Sequence, residues 1–171
     1  KMGFSAQAIY YYFPSKEALV AALVDEHLGR MTAVVTRALD DVTPAELPHN
    51  AHVMVSALIA AYRVDPRLHH VLCQEVPKIG ELRRIYEFEQ TLAEVMRQHL
   101  NSLRNQIRHQ NIDRAVFLLV NAVPSVIRAA IETDPEGTND ATLAEELRDM
   151  ILRYLVYVPA NESGAFTRVS A

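Results

Sequence analysis

The residues from Gly3 to Leu19 constrain the fold of this chain more than any other stretch. Ser5 is a favourable N-cap for a short helix, and Pro14 cannot continue that helix because proline has no backbone N–H. Ser15 is then placed to cap a second helix that begins at Lys16. A short helix between two tight turns, backed by a longer helix, is how a chain presents a recognition helix to a DNA major groove.

The composition favours helices in a soluble protein. Among the 171 residues, 50% are apolar and only 5 are glycine, and no alternating strand pattern lies between turn dipeptides. The single cysteine, Cys73, excludes an internal disulfide and suits a reducing compartment. The longest apolar run, residues 115–127, contains polar residues and is too short to cross a bilayer. We therefore expect a soluble, cytoplasmic, all-α protein without a membrane partner.

Apolar residues at helical spacing predict a succession of helices. Prolines and capping residues place them at about 16–43, 48–64, 79–107, 112–133 and 141–158, with a short segment after residue 65 that Pro77 stops. Residues 134–140 form a loop, and residues 159–171 form a loose tail. The helix over 48–64 is apolar on every face, so it is either buried or lines an internal cavity.

The first stretch closely resembles the helix-turn-helix signature of the tetracycline-repressor (TetR) family. The matching residues are Gly3, Phe4, Ser5, Ile9, Tyr10, Tyr12, Phe13, Ser15, Lys16, Glu17 and Leu19. The resemblance implies a truncated N-terminal helix-turn-helix and connecting helix over 1–43, followed by a helical effector-binding and dimerisation domain over 44–171. We expect the first helices of the helix-turn-helix upstream of Lys1, where they would supply the basic charge that a chain of net charge −4 lacks.

The resemblance also implies which residues contact DNA. The candidate DNA-binding residues are Ser5, Ala6, Gln7, Ala8, Tyr10, Tyr11, Tyr12 and Lys16. Of the variable positions, Gln7 alone can make a bidentate contact with a base, most naturally adenine. Tyr12 and Lys16 would contact phosphate, although a solvated surface lysine is the simpler interpretation of Lys16 without the motif around it.

A second set of residues could bind an effector. The candidates are Met54, Tyr62, His69, Cys73, Tyr86, Phe117 and Asn121. Pro124 bends an apolar helix beside Asn121 and Ser125, which could form a polar anchor in an apolar pocket. A simple packing kink would explain the same residues.

The segment His69-His70-x-x-Cys73 is the strongest alternative feature. On a helix, each histidine shares a face with Cys73 at a spacing compatible with a metal site, but no second pair of ligands follows. A buried thiol beside pocket-lining histidines is the default interpretation, so we expect neither a metal nor another cofactor. The sequence holds no nucleophile elbow, Gly-rich phosphate loop or zinc-protease motif, and we expect no enzymatic activity.

The resemblance thus implies a homodimeric, ligand-responsive transcriptional regulator, most often a repressor in this family. It would bind a pseudo-palindromic double-stranded DNA operator, pair through its last two long helices, and be released by a small apolar or amphipathic effector. The alternative is a helical small-molecule carrier, or a metal or redox sensor, that does not bind DNA. A basic amphipathic segment upstream of Lys1 would favour the regulator.

Overall fold

The computed structural model describes residues 11–39, 41–42, 46–79 and 82–156. These residues form α1 (Lys16–Leu39), α2 (Leu47–Arg63), α3 (Pro66–Ile79), α4 (Leu82–Ser102), a 3-10 turn (Arg104–Gln106), α5 (Ile112–Thr133) and α6 (Asp140–Leu155). No strand occurs in the described ranges, and the predicted all-α class is confirmed.

Side-chain caps define several of these helices as the sequence predicts. Ser15 accepts a hydrogen bond from the Ala18 backbone N–H at 3.1 Å, and Asn111 accepts one from the Arg114 N–H at 2.9 Å. Each cap satisfies a backbone donor that the first turn of a helix leaves unpaired. The predicted starts of α1 and α5 are therefore correct.

Some predicted helix ends are wrong, including that of α1, which ends at Leu39 and not at residue 43. Pro77 does not stop α3, which continues through it to Ile79. A proline in the last turn removes only its own backbone hydrogen bond, so the preceding residues stay helical. The predicted helix over 79–107 is also shorter, because α4 ends at Ser102 and the chain then enters the 3-10 turn.

The main hydrophobic core joins five of the six described helices. It takes the second half of α1 together with α2, α4, α5 and α6, and its least exposed members include Met31, Leu103, Ile127 and Leu155. The predicted all-round apolar helix, α2, contributes a long series of buried side chains to this core. It is the central helix of the bundle.

A second, smaller cluster joins α1 to α3. Val20 and Val24 of α1 pack with Leu72 and Val76 of α3, separately from the main core. The helix α1 therefore belongs to two packing units. Its first half packs with α3, and its second half packs with the rest of the bundle.

Arg63, at the end of α2, fixes the loop between α5 and α6. Its guanidinium donates to both carboxylate oxygens of Asp140, at 2.9 and 2.7 Å, and to the backbone carbonyls of Asp134 and Pro135. Gly137 adopts a φ of 74° in this loop, a left-handed conformation that glycine accommodates readily. The last two helices are thereby attached to the central helix.

Within the described residues, α5 is long and apolar enough to cross a membrane by length and composition alone. The apolar run of residues 115–127 alone is too short to cross a bilayer, but the whole of α5, Ile112–Thr133, is long enough. Core helices of soluble proteins meet the same criterion. Since Ala115, Leu119, Val123 and Ile127 of α5 are buried in the main core, we interpret α5 as a core helix.

Candidate effector cavity and DNA-binding unit

A cavity lies where the two hydrophobic clusters meet, and we call it the seam cavity. Its space, counted out to the open mouth, is about 1060 Å³. Side chains of α1, α2, α3, α4 and α5 line it. Its apolar walls include Val24, Met31, Leu72, Val76, Ile85 and Phe88, and its polar side chains include His27, His69, Cys73, Glu89, Asn121 and Arg128. Such a mixture fits a small amphipathic molecule.

Three polar side chains of the seam cavity form a continuous chain of contacts. His27 Nε2 lies 3.1 Å from His69 Nδ1, and His69 Nε2 lies 3.5 Å from Cys73 Sγ. The Tyr62 ring meets the His69 ring edge-on, with 4.9 Å between the ring centroids. The structure thus brings three candidate effector residues, Tyr62, His69 and Cys73, into one wall.

Burial keeps these groups uncharged near neutral pH. It lowers the pKa of His69 to about 4, and His27 and Arg128 reinforce this shift by charge repulsion. Burial likewise lowers the pKa of His27 and raises the pKa of Tyr62 to about 12. Partial burial also raises the pKa of the Cys73 thiol, but this side chain is exposed, so the predicted buried thiol is wrong. The polar wall therefore offers neutral hydrogen-bonding groups.

Asn121 also lines the seam cavity, but part of its side chain is already engaged. Its amide nitrogen donates to the Phe117 carbonyl at 2.7 Å, and Ser125 Oγ donates to the Asn121 carbonyl at the same distance. Both bonds lie along α5 beside Pro124. Asn121 and Ser125 thus use part of their hydrogen-bonding capacity within the helix, and their role as a polar anchor stays a prediction.

Met54 lines a different space, which we call the core cavity. This cavity lies inside the main core, spans about 800 Å³ out to its mouth, and is almost wholly aliphatic. Its polar lining residues, Asn50 and His99, contact each other at 3.2 Å. Leu92 and Val120 line both cavities and separate them.

Tyr86 and Phe117 line neither cavity, so their placement as pocket walls is corrected. Phe117 is 63% exposed, and Tyr86 is also exposed. Each follows an inward-facing residue: Ile85 lines the seam cavity and Val116 is buried in the main core. Because successive helical residues point about 100° apart, the next side chain faces solvent.

The metal motif does not converge as a unit. His69 and Cys73 share a helix face as expected, but His70 contacts Gln74 at 2.8 Å and lies 3.8 Å from Glu132. His27 contacts the other ring nitrogen of His69, Nδ1. The part of the chain that the structure describes contains no group of three or more His, Cys, Asp or Glu side chains that could hold a metal ion.

His27 and Arg128 are two of the polar cavity residues that the sequence interpretation missed. His27 occupies the apolar stripe of α1 between Val24 and Met31, and a polar residue in such a stripe is the signal that could have identified it. Arg128 follows directly after the apolar run of α5. Within the described residues it forms no ion pair, and it donates to Ser125 Oγ at 3.2 Å.

Most of the candidate DNA-binding residues cannot be placed. Ser5, Ala6, Gln7, Ala8 and Tyr10 lie outside the described residues. Tyr11 and Tyr12 are helical and exposed, with their rings edge-to-face at a centroid distance of 5.3 Å. Both are therefore available to a partner on this side of the molecule.

Lys16 is exposed but already has an acidic neighbour. Its ammonium lies 2.7 Å from one carboxylate oxygen of Glu75, and Lys78 lies 2.7 Å from the other. The two lysines hold the pKa of Glu75 at about 2, and Glu75 in turn raises the pKa of Lys16. A phosphate at Lys16 would share or displace this carboxylate.

Two family descriptions match the sequence. Residues 47–155 match "Tetracyclin repressor-like, C-terminal domain", and residues 1–23 match "Bacterial regulatory proteins, tetR family". The first match covers more than half of the chain. The chain therefore belongs to the TetR family of bacterial regulatory proteins, which bind DNA through a helix-turn-helix.

Solved structures share the fold. A regulatory protein of the tetR family from Rhodococcus RHA1 superimposes with a TM-score of 0.72 at 16% identity, over 91% of this chain and 82% of its own. A protein of unknown function from Rhodococcus sp. RHA1 gives 0.71 at 15% identity, over 91% and 80%. The TetR family transcriptional regulator PfmR from Thermus thermophilus gives 0.70 at 21% identity, over 89% and 83%. No curated protein matches the sequence significantly.

Proposed function

We propose that the protein is a ligand-responsive repressor that binds a pseudo-palindromic operator as a homodimer and leaves it when a small effector fills the seam cavity. The position of this cavity carries the proposal. One of its walls is α1, whose first residue, Lys16, is a candidate DNA-binding residue. An effector in the seam cavity would therefore contact α1, the helix that carries part of the proposed DNA-binding surface.

Two structural connections support transmission from the cavity to the DNA-binding unit. His27 lies about three turns along α1 from Lys16, so one continuous helix connects the two residues. His69 and Cys73 line the cavity from α3, the helix that also carries Glu75. A change in the spacing of α1 and α3 would thus alter the contact between Lys16 and Glu75.

The apolar core is divided into two clusters at the seam cavity, and this division supports a movement of one cluster relative to the other. The cavity is lined by Val24 and Val76 of the small cluster and by Met31 of the main core. A ligand that binds one spacing of these clusters better than the other shifts the equilibrium between them. Coupling of about 1–3 kcal/mol between effector and DNA would change operator affinity by roughly 5- to 150-fold.

Exposed apolar side chains support pairing through the last two helices. Phe117, Leu118 and Val126 of α5 and Met150 of α6 are all large, apolar and exposed in the single chain. Exposed apolar surface of this kind marks interaction sites. We assign it to a second copy of the chain, in line with the proposed dimer.

The test uses the full-length protein and an operator obtained by selection from random DNA. Binding should be two-fold symmetric, should occur as a dimer in sedimentation experiments, and should weaken when a cavity ligand is added. A protein that binds small ligands but selects no DNA sequence would be a carrier instead. We also propose that the regulator is cytoplasmic, because a free thiol such as that of Cys73 is typical of a reducing compartment. A protein that selects no DNA sequence would contradict this proposal as well.

A further inference from the structure

The seam cavity adjoins a second space at the surface, which we call the outer pocket. This pocket lies between α3 and α5 and spans about 760 Å³ out to its mouth. Five side chains line both spaces, namely Tyr62, His69, Cys73, Ser125 and Arg128. Arg128 is exposed, so a ligand can contact it at the boundary between the two spaces without first unburying it.

Arg128 has most of its hydrogen-bonding capacity available. Within the described residues it forms no ion pair, and it donates to Ser125 Oγ at 3.2 Å. A guanidinium carries five N–H donors in a planar fork, which matches the two oxygens of a carboxylate. Arg63 and Arg97, by contrast, already pair with carboxylates of the protein. Arg128 is therefore free to bind a carboxylate from outside.

The charge of Arg128 acts on the whole polar wall of the seam cavity. Burial is the largest influence on the pKa of Tyr62, His69 and Cys73, but Arg128 also acts to lower the pKa of all three. Among the described residues, it is the single lysine or arginine that lines the seam cavity. Its guanidinium therefore lies close to this wall.

Two acidic side chains lie nearby, and each acts on the wall less than Arg128 does. Glu89 lines the seam cavity from α4 and raises the pKa of Tyr62, but burial and Arg128 influence that pKa more. Glu132 lines the outer pocket, where it lies 3.8 Å from His70, and its effect on Cys73 is also smaller than that of Arg128. The boundary between the two spaces therefore favours a negative ligand group.

We propose that the effector is an amphipathic monocarboxylic acid, whose carboxylate accepts two hydrogen bonds from the Arg128 guanidinium while its apolar body lies in the seam cavity. Ile85, Phe88 and Leu92 line this cavity and are only partly buried, so they offer apolar surface to that body. A phosphate monoester fits less well, since it carries up to two negative charges and one cation lines the described part of the cavity. The regulatory meaning of this contact rests on the proposed function, but the binding itself does not.

Three ligands of similar shape test the proposal by calorimetry on the full-length protein without DNA. These are phenylbutyrate, phenylbutyramide and phenylbutylamine, which carry an anionic, a neutral and a cationic end. Phenylbutyrate should bind about tenfold more tightly than the amide, because its hydrogen bonds with a guanidinium are charge-assisted. The amine should bind most weakly, and added salt should reduce the advantage of the acid.

Matched variants assign the preference to one residue. Arg128→Gln should abolish the advantage of phenylbutyrate over phenylbutyramide while leaving binding of the amide intact. Arg67→Gln removes the same charge from an exposed position of α3 that lines neither space, and it should leave the advantage unchanged. Because both arginines are exposed, we expect both variants to fold, and the comparison of ligands in the unchanged protein does not depend on either.

Equal affinity for acid and amide would overturn the inference, as would a preference for the acid that survives Arg128→Gln. Tightest binding of the amine would also overturn it and would point to Glu89 instead. The proposed function fails differently. If the acid preference depends on Arg128 but no carboxylic acid that binds there changes operator binding, the regulatory proposal is wrong and the binding inference stands.

Discussion

The carboxylate of Glu75 on α3 lies 2.7 Å from the ammonium of Lys16, at the beginning of α1. The same helix α3 presents His69 and Cys73 to the seam cavity. A single helix therefore faces the proposed effector and holds the lysine that the family resemblance assigns to a DNA phosphate. This arrangement suggests that carboxylate and phosphate compete for one ammonium group.

Glu75→Gln should strengthen operator binding several-fold and reduce the response to effector. Without the carboxylate, Lys16 is available to phosphate whatever the position of α3. Fluorescence anisotropy with labelled operator measures both effects. Glu87→Gln is the matched control, since Glu87 also forms an exposed ion pair, with Arg83 on α4. An equal gain in both variants would show that net charge alone is responsible.

Gln7→Ala and Lys16→Ala should weaken DNA binding in different ways. Removing a bidentate base contact relaxes the preference at one base position, at a cost of about 1–3 kcal/mol. Removing a phosphate contact weakens binding to all sequences and lowers the salt dependence by about one counterion. Operator titrations over a range of salt concentrations distinguish the two. Equal loss of sequence preference in both variants would contradict the assignment.

Arg63→Ala should lower the free energy of unfolding by about 2 kcal/mol. The variant loses a bidentate ion pair with Asp140 and two hydrogen bonds to loop carbonyls. Because the Arg63 side chain is only 17% exposed, water replaces these bonds only in part. Urea denaturation measures the change. Arg67→Ala is the control, because Arg67 is exposed and forms no ion pair among the described residues. Comparable losses of stability in both variants would show that the contacts of Arg63 with Asp140 and the loop carbonyls are not responsible.

Stability should fall as the pH is lowered from 6.5 to about 4. The pKa of His69 moves from 6.5 to about 4 on folding, so between these values the unfolded chain holds more protons than the folded protein. The free energy of unfolding therefore rises with pH across this window, and the loss on acidification is on the order of 2 kcal/mol. His69→Gln should flatten the profile.

Val126→Asp should shift the protein from dimer to monomer. A carboxylate on the exposed apolar surface of α5 would be buried without a partner in the proposed interface. Sedimentation or light scattering gives the mass. Leu23→Asp places the same charge on an exposed apolar position of α1 and should leave the dimer intact. A dimer that persists with Val126→Asp would place the interface elsewhere.

Local signals in the sequence predicted much of the helical order. The cap at Ser15 is read from neighbouring residues and forms the expected hydrogen bond, and Asn111 caps the helix predicted to begin near residue 112. The end of α3 was not predictable in this way. A proline signals a break wherever it occurs, yet near a helix end its local cost is small enough for the helix to continue past Pro77.

The candidate cavity was only partly predictable, because its residues come from five helices. Tyr62, His69 and Cys73 were identified as chemically suitable, but nothing in the sequence says that His27, far away in the chain, contacts His69. Helical periodicity also could not separate Phe117, which faces solvent, from the buried Val116 beside it. Such distinctions depend on how the helices pack, which a single sequence does not record.

The small cluster of Val20, Val24, Leu72 and Val76 has a consequence for the order in which the bundle comes apart. So few buried side chains hold α3 less firmly than the large core holds α2 and α5. We therefore expect α3 to detach as a cooperative unit of its own, at a free energy below that of global unfolding. Such a local opening would widen the seam cavity, which α3 lines, while the rest of the bundle remains folded.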